Sequence, residues 1–543
     1  MPMTKLRMQV LQACRRLLSE GNRDPYSATY GCFDRRFWGW KSVDFPEATL
    51  QRNAYPLAWL SKHPDLHFEA EAEIMTDAVQ AALCFSASIQ HKDGSFDQAF
   101  PHEHSFGATA FLLHSLLGAF RIVGESRSAE FRSMIEKCLQ RAADFLCRHD
   151  EQHGRISNHL AGAALSLRTA GDYFSEPRYT KRSDEIIDKV LASQSSEGWF
   201  PEYEGSDPGY QTLCIYYFAK LYLLRPDDQL KTALAHAVEF LSWFAHPDGT
   251  FGGEYGSRRT AIFYPGGLAI LSQKIPAAGT LVRFMVDSIA AGHTVTLNDI
   301  DTANIAPVLE NYIAVLDAGE VETDEGNLPL PCQGAPAKRD FAEAGIYMRK
   351  TDRYYAIFGA SNGGVLKVFD CRQKKAIWND GGYVGQTSAG EYITTQVTDL
   401  ERPCRLTEDD ICIETAFCSL PRPSPTPAAF VLLRLMNLTI MRSIWLGNYI
   451  KALLVDLLIT AKRKAPLNLS RTVHFGEETI TVIDKVKGNL SMRWIECGRP
   501  FVAIHMASAR YFEGAAGAAA WRPQHLDVGV LYNCGELKNQ VEI

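Results

Sequence analysis

The sequence predicts a multidomain α + β chain, an N-terminal (α/α) toroid followed by a C-terminal antiparallel β-sandwich. Three observations predict it. At 543 residues the chain exceeds what one core organises, because cores stop growing near roughly 250–300 residues. A glycine-bearing turn recurs between apolar-periodic segments in the N-terminal part. Beyond about residue 340 the apolar period falls from 3.6 to 2.

The repeated turns are Gln90-His-Lys-Asp-Gly-Ser-Phe96, Gln152-His-Gly-Arg155, Gln194-Ser-Ser-Glu-Gly-Trp-Phe200 and His246-Pro-Asp-Gly-Thr-Phe251. Their glycines, Gly94, Gly154, Gly198 and Gly249, recur every roughly 45–60 residues, about the length of one antiparallel helix pair. Between them, segments such as 105–120 and 209–224 carry Phe, Leu and Tyr at three-and-four spacing, which predicts helices with one apolar face. One pair cannot bury that face alone, whereas a closed ring of pairs can.

The pattern dissolves over 317–339 into a polar, Pro- and Gly-rich stretch, which sets the expected boundary: toroid 1–325, sandwich 326–543. Runs such as 354–358, 364–369 and 478–483 are short and rich in β-branched or aromatic residues, as strands of a sandwich require. An apolar stretch at 430–460 is interrupted by Arg434, Arg442, Lys451 and Asp456. It reads as a buried or amphipathic helical insertion, not a bilayer span. The cluster Lys462, Arg463 and Lys464 beyond it leaves contact with a membrane surface as a second reading.

Composition narrows the partners. A hydrophobic fraction of 46%, a charged fraction of 22% and a mean hydropathy of −0.15 are those of a globular protein. The 56 basic residues against 63 acidic ones leave a net charge of −7, which argues against a nucleic-acid binder. Any anionic ligand must then be met by a local basic patch. The 13 cysteines show no C-x-x-C spacing, so they read as small buried hydrophobes in a reducing compartment. With charges breaking the first apolar residues, the expectation is a cytoplasmic protein.

Two segments concentrate chemistry, Gly154-Arg-Ile-Ser-Asn-His-Leu160 and Glu197-Gly-Trp-Phe-Pro-Glu-Tyr-Glu-Gly-Ser-Asp-Pro-Gly-Tyr210. In each, polar groups open a helix just after a repeat turn, where side chains of successive units converge on the ring's mouth. Read singly, Asn158 is equally a helix cap, His159 a satisfied core histidine, and Tyr210 a buried aromatic.

The Asn158-His159 pair on one helix, Tyr210 opening the next, and a following sandwich together resemble the heparinase II/III-type polysaccharide lyases and related alginate lyases. The resemblance implies β-elimination on an acidic, uronate-containing polysaccharide; no cofactor is expected. It implies that Asn158 hydrogen-bonds the uronate carboxyl group while His159 and Tyr210 share the base and acid work. A tyrosine does this when a positive field lowers its pKa, and Arg155 is the nearest cation in sequence. The segment bearing Arg36, Trp38, Trp40 and Lys41 mixes flat rings with cations, as an anionic sugar chain needs; its other reading is a lid packed on the first helices. Glu202 and Arg258 complete the expected substrate-binding set.

Lyases of this type often place a histidine or a metal cluster on early sandwich strands. Here that stretch reads Asn362-Gly-Gly-Val-Leu-Lys-Val-Phe-Asp370, and no metal is expected. His474 and His505 are alternatives, each on an apolar alternating run that reads as buried. His102 and His104, placed two apart on a helix, would face different sides with no third ligand near. Gly359-Ala-Ser-Asn-Gly363 fits G-x-S-x-G, but a strand follows it, so it reads as a hairpin turn. Competing functions are a uronate C5-epimerase, a glycoside hydrolase drawing on Glu202, Glu204, Asp207 and Glu254, and a non-catalytic protein of capsule or exopolysaccharide assembly.

Overall fold

The computed structural model describes residues 2–66, 69–152, 156–203, 205–319, 329–420, 426–443, 446–447, 449–450, 463–503, 522–529, 531 and 535–543. Among these, helices fill the N-terminal part and antiparallel strands the C-terminal part, the toroid and sandwich expected. The chain enters through α1 (Pro2–Glu20) and a one-turn α2 (Arg35–Trp38), then alternates inner and outer helices. The inner set is α3 (Ala54–Ser61), α5 (Phe106–Val123), α7 (Ser157–Phe174), α9 (Pro208–Leu224), α11 (Gly266–Leu271) and α13 (Ile305–Ala318). The outer set is α4 (Glu69–Ile89), α6 (Ala129–Arg148), α8 (Pro177–Leu191), α10 (Asp228–Ser242) and α12 (Pro276–Ala291). Successive inner helices touch and α13 returns to α3, closing the ring.

Burial explains which helices line the ring. In α9 every residue from Pro208 to Ala219 is buried, as expected where both faces are covered. In α8 burial is confined to Tyr179, Ser183, Ile186, Ile187 and Val190, a single stripe with solvent opposite. Phe106–Ser126 has the length and hydropathy of a bilayer span, yet 78% of its 18-residue apolar window is buried inside the protein.

The repeat turns are built alike. His91 N–H bonds Ser95 O, Ser195 N–H bonds Trp199 O, and His246 N–H bonds Thr250 O. Gly94, Gly198 and Gly249 sit at φ +101°, +99° and +86°, a region that favours glycine. Gln90 and Gln194 each send Nε2 to the turn glycine's carbonyl and to a carbonyl of the next outer helix. A Cβ on Gly198 would lie 2.3 Å from His236 O. Gly198→Ala is therefore expected to lower toroid stability by at least about 2 kcal/mol, read as a shift in its urea midpoint at unchanged slope.

The sandwich opens with one sheet in sequence order: β1 (Ala337–Phe341), β2 (Ile346–Lys350), β3 (Tyr354–Gly359), β4 (Val365–Asp370) and β5 (Lys375–Asp380). The second sheet holds β6 (Val384–Thr387), β7 (Tyr392–Thr394), β8 (Cys404–Leu406), β9 (Asp410–Ser419), β10 (Lys464–Phe475), β11 (Ile480–Gly488), β12 (Met492–Cys497), β13 (Gln524–His525) and β14 (Glu536–Glu542). Its order is β13-β12-β6-β7-β9-β10-β11-β14, with β8 also on β9. Helices end at Ala318 and strands begin at Ala337; the expected boundary at 325 lies outside the described residues.

The sandwich docks on the toroid through apolar packing, with Phe341 against Phe240 and Phe244, and through polar contacts. Asn362 Nδ2 bonds Gly256 O at 2.7 Å, and Thr398 Oγ1 bonds Asn362 Oδ1 at 2.7 Å. Asn362 lies in the β3–β4 turn, so Gly359–Gly363 is a hairpin turn that reaches into the toroid. The Glu197 carboxylate accepts from the N–H groups of Glu343 and Ala344. Lys367 Nζ lies 3.6 Å from Glu254.

Of the two readings of the helical insertion, buried or amphipathic, the buried one fails. Within the stretch, α14 (Pro427–Leu438) leaves Phe430, Val431, Leu432, Leu435 and Leu438 exposed, so it is not a buried helix. Residues 451–462 of that stretch lie outside the described residues. Arg434 ties the helix to the rim, 2.8 Å from Asp44 and over the Phe45 ring.

Candidate active site

The inner helices start at one end of the ring, so the loops before them form its mouth. Asp207 caps α9, accepting from Tyr210 N–H at 3.0 Å. Its other oxygen takes the N–H groups of Arg258 and Thr260 at 3.0 and 3.3 Å. One buried carboxylate, with its pKa pushed up by burial, thus fastens the Arg258 loop to the start of α9.

Arg258 lies flat on Tyr210, its guanidinium carbon 3.7 Å from the ring centroid, and 4.8 Å from that of Tyr203. Its Nη1 bonds Glu202 Oε1 at 2.5 Å, and Asn158 Nδ2 donates to the same oxygen at 2.8 Å. Burial opposes the Arg258 charge, but Tyr210, Glu202 and Tyr203 around it raise its pKa. Next to Asn158, His159 places Nδ1 2.7 Å from Glu151 Oε2, and its ring meets Phe111 edge-on. An ionised carboxylate accepts only, so this bond assigns the proton to Nδ1 and the lone pair to Nε2.

The structure thus joins Asn158 to Tyr210 through Glu202 and Arg258, with His159 adjoining. Exposure separates them: Asn158 is 1% and Tyr210 9% exposed, whereas the His159 side chain retains 26%. Glu202, expected at the substrate, is 2% exposed and instead orients Asn158 and Arg258. Arg258, expected at the rim, is buried beneath Tyr210. It is the cation that lies against the Tyr210 ring; Arg155, the nearest in sequence, lies outside the described residues.

Sequence reasoning missed Tyr203 and Glu151. Tyr203 is half-buried and holds a left-handed backbone at φ 60°, a conformation that non-glycine residues keep where surroundings enforce it. Burial pushes its pKa up while Arg258 opposes. The left-handed conformation has no sequence signature, so packing alone reveals it. Glu151 stands eight residues before its partner, a contact with no local sequence signature.

The aromatic segment before α3 divides. Trp38 Nε1 bonds Glu20 O at 2.9 Å, packing as a lid on α1. Arg36 pairs with Asp34 and Glu47 while remaining half exposed. Trp40, 74% exposed, and Lys41 face solvent. The carboxylates considered for hydrolysis are engaged: Glu202 with Arg258, Asp207 in the cap, Glu254 beside Lys367; Glu204 lies outside the described residues.

The histidines also depart from expectation. His474 is exposed, 2.7 Å from Asp410, because β10 turns Arg471, Val473 and Phe475 inward. It cannot stand in for a histidine facing the toroid; His505 lies outside the described residues. His102 and His104 are in a loop, both at positive φ, and His91 joins them, where no third ligand was expected. A cavity of about 700 Å³ opens at the far end of the ring beside Tyr55, His114, Lys220 and Asp317. There Lys220 Nζ lies 3.2 Å from His114 Nε2, and none of the expected site residues reaches it.

The architecture is thus a closed helical toroid with a polar cluster at its mouth and an antiparallel sandwich docked beside it. Residues 52–268 match the model of the ulvan lyase N-terminal domain family. No curated protein matches it in sequence. The fold is that of the chondroitin AC lyase of Streptomyces coelicolor A3, solved with chondroitin sulphate: TM-score 0.56 at 8% identity, over 91% of this chain and 67% of that one. A heparan sulfate lyase from Pedobacter heparinus aligns at TM-score 0.42 and 12% identity, over 90% of this chain and 70% of that one.

Proposed function

We propose that this chain cleaves a uronate-containing polysaccharide by β-elimination at the Asn158, His159 and Tyr210 cluster, with ulvan the first polymer to test. One observation carries the reading: the His159–Glu151 pair adjoins a link that runs Asn158–Glu202–Arg258 to a stacked Tyr210.

Elimination breaks the C5–H and C4–O4 bonds and forms a C4–C5 double bond, the proton from C5 going to the enzyme base and O4 receiving one from the enzyme acid. The C5 proton is weakly acidic, so the uronate carboxylate must be neutralised. Asn158 Nδ2, one hydrogen of which goes to Glu202, offers the other to that carboxylate, and the Arg258 guanidinium, paired with Glu202, lies against the Tyr210 ring. His159 Nε2, with its tautomer set by Glu151, exchanges the proton with Tyr210 as its partner. Arg36, Trp40 and Lys41 at the mouth supply the cations and flat ring that guide an anionic sugar chain.

The test is absorbance at the unsaturated-uronate band during incubation with ulvan, alginate, chondroitin sulfate and heparan sulfate. A rise on one polymer, lowered at least about 100-fold in Tyr210→Phe, is the expected outcome. No rise on any polymer, with solvent deuterium entering C5, would replace the lyase with an epimerase.

A further inference from the structure

Three histidines meet at the mouth of the ring outside the cluster assigned above. His91 comes from the first repeat turn; His102 and His104 come from the loop leading into α5. One ring nitrogen from each lies within 4.8 Å of the others. All three are half-buried, and the His91 and His104 rings stand 4.3 Å apart between centroids.

What surrounds them has the form of a metal site's support. Ligating imidazoles characteristically give their second nitrogen to a carboxylate, which fixes ring and tautomer. Here His91 Nε2 lies 2.8 Å from Asp97 Oδ2, leaving Nδ1. His104 Nδ1 lies 2.8 Å from both Asp93 Oδ2 and Ser95 Oγ, leaving Nε2. The two carboxylates are themselves held. Asp97 accepts the N–H groups of His102 and His104 at 2.8 and 3.0 Å, and Asp93 accepts from Ser95 N–H and Oγ at 3.0 and 2.7 Å. His102 and His104 keep left-handed backbones at φ 62° and 50°, so the loop holds a strained path that turns both rings toward His91.

We propose that His91 Nδ1, His104 Nε2 and one ring nitrogen of His102 bind a divalent transition-metal ion of the zinc class, with Asp97 and Asp93 orienting two of the three ligands. Three neutral imidazoles suit zinc, which takes nitrogen at about 2.0–2.1 Å in a tetrahedron whose fourth position water fills. Such a tetrahedron sets ligand nitrogens about 3.4 Å apart, so from separations of up to 4.8 Å the rings close by at most about 1.4 Å on binding.

The ion would act as a clamp. The 97–105 loop also receives Ala48 N–H on Asp97 O and runs directly into Phe106 and Gly107. Gly107 backs the His159 ring: a Cβ there would lie 2.6 Å from Nδ1. The metal thus fixes the loop that forms one wall of the catalytic histidine.

The experiment uses the full chain, free of any polyhistidine tag and stripped with a chelator. It is titrated with Co²⁺, followed by visible absorption, and with Zn²⁺, followed by calorimetry. One equivalent of each is expected, with a tetrahedral Co²⁺ spectrum that Zn²⁺ displaces and a Zn²⁺-dependent rise in Tm. His102→Ala, which removes the most exposed ring, and His91→Gln, which keeps a donor for Asp97, should each weaken Zn²⁺ at least about 10-fold while the metal-free Tm holds. Uptake below one equivalent in the parent, or unchanged affinity in both variants, would overturn the site.

Discussion

His159→Asn is expected to lower kcat on the cleaved polymer by about 10²- to 10⁴-fold, the range that one positioned acid–base group supplies. The side chain keeps 26% of its surface exposed, so stability should hold, and circular dichroism with Tm checks that the loss is chemical. Asparagine retains a donor for Glu151, which is 3% exposed. Glu151→Gln should give a smaller loss, because an amide no longer fixes the tautomer by acceptance alone. A reduction below about 10-fold in His159→Asn would remove His159 from proton transfer. In that case Tyr203→Phe becomes the deciding variant, since Tyr203 and Tyr210 both border Arg258 and Tyr203 is the more exposed.

The largest expected effect on stability lies in the sandwich. Arg471 is 1% exposed, with Nε and Nη2 each 2.8 Å from Asp484 and Nη1 2.8 Å from Asp380. Tyr383 Oη adds a bond to Asp484, and Gly382 and Gly498 N–H groups bond Asp380. Arg471→Met leaves two buried carboxylates without their cation, and breaking one side of such a network costs about 3–5 kcal/mol. The readout is the sandwich's own denaturant transition, because two domains need not unfold together. A loss under about 1 kcal/mol would mean that water or rearrangement satisfies Asp380 and Asp484.

Much of the architecture was legible because it rests on period. The turn glycines Gly94, Gly198 and Gly249 stand where the chain must adopt positive φ, and the Gln90 and Gln194 anchors repeat with them. The switch to period 2 marks strands for the same reason: one face of each must be buried. The Asn158-His159 and Tyr210 positions were legible as helix starts after repeat turns, where a ring brings successive units together. Arg258 was visible as a cation without a place, and Glu202 as a carboxylate of the wrong exposure. Their pairing depends on how two loops fold over α9.

The sequence by itself determined the helical ring, the antiparallel sandwich and the residues that open the inner helices, since backbone period and turn chemistry act over a few residues. Only the tertiary structure decided that Arg258 lies on Tyr210, that Glu151 holds His159, that His474 faces solvent and that His91 meets His102 and His104. Those are contacts between loops distant in sequence, and their geometry follows from how the elements pack rather than from any local preference.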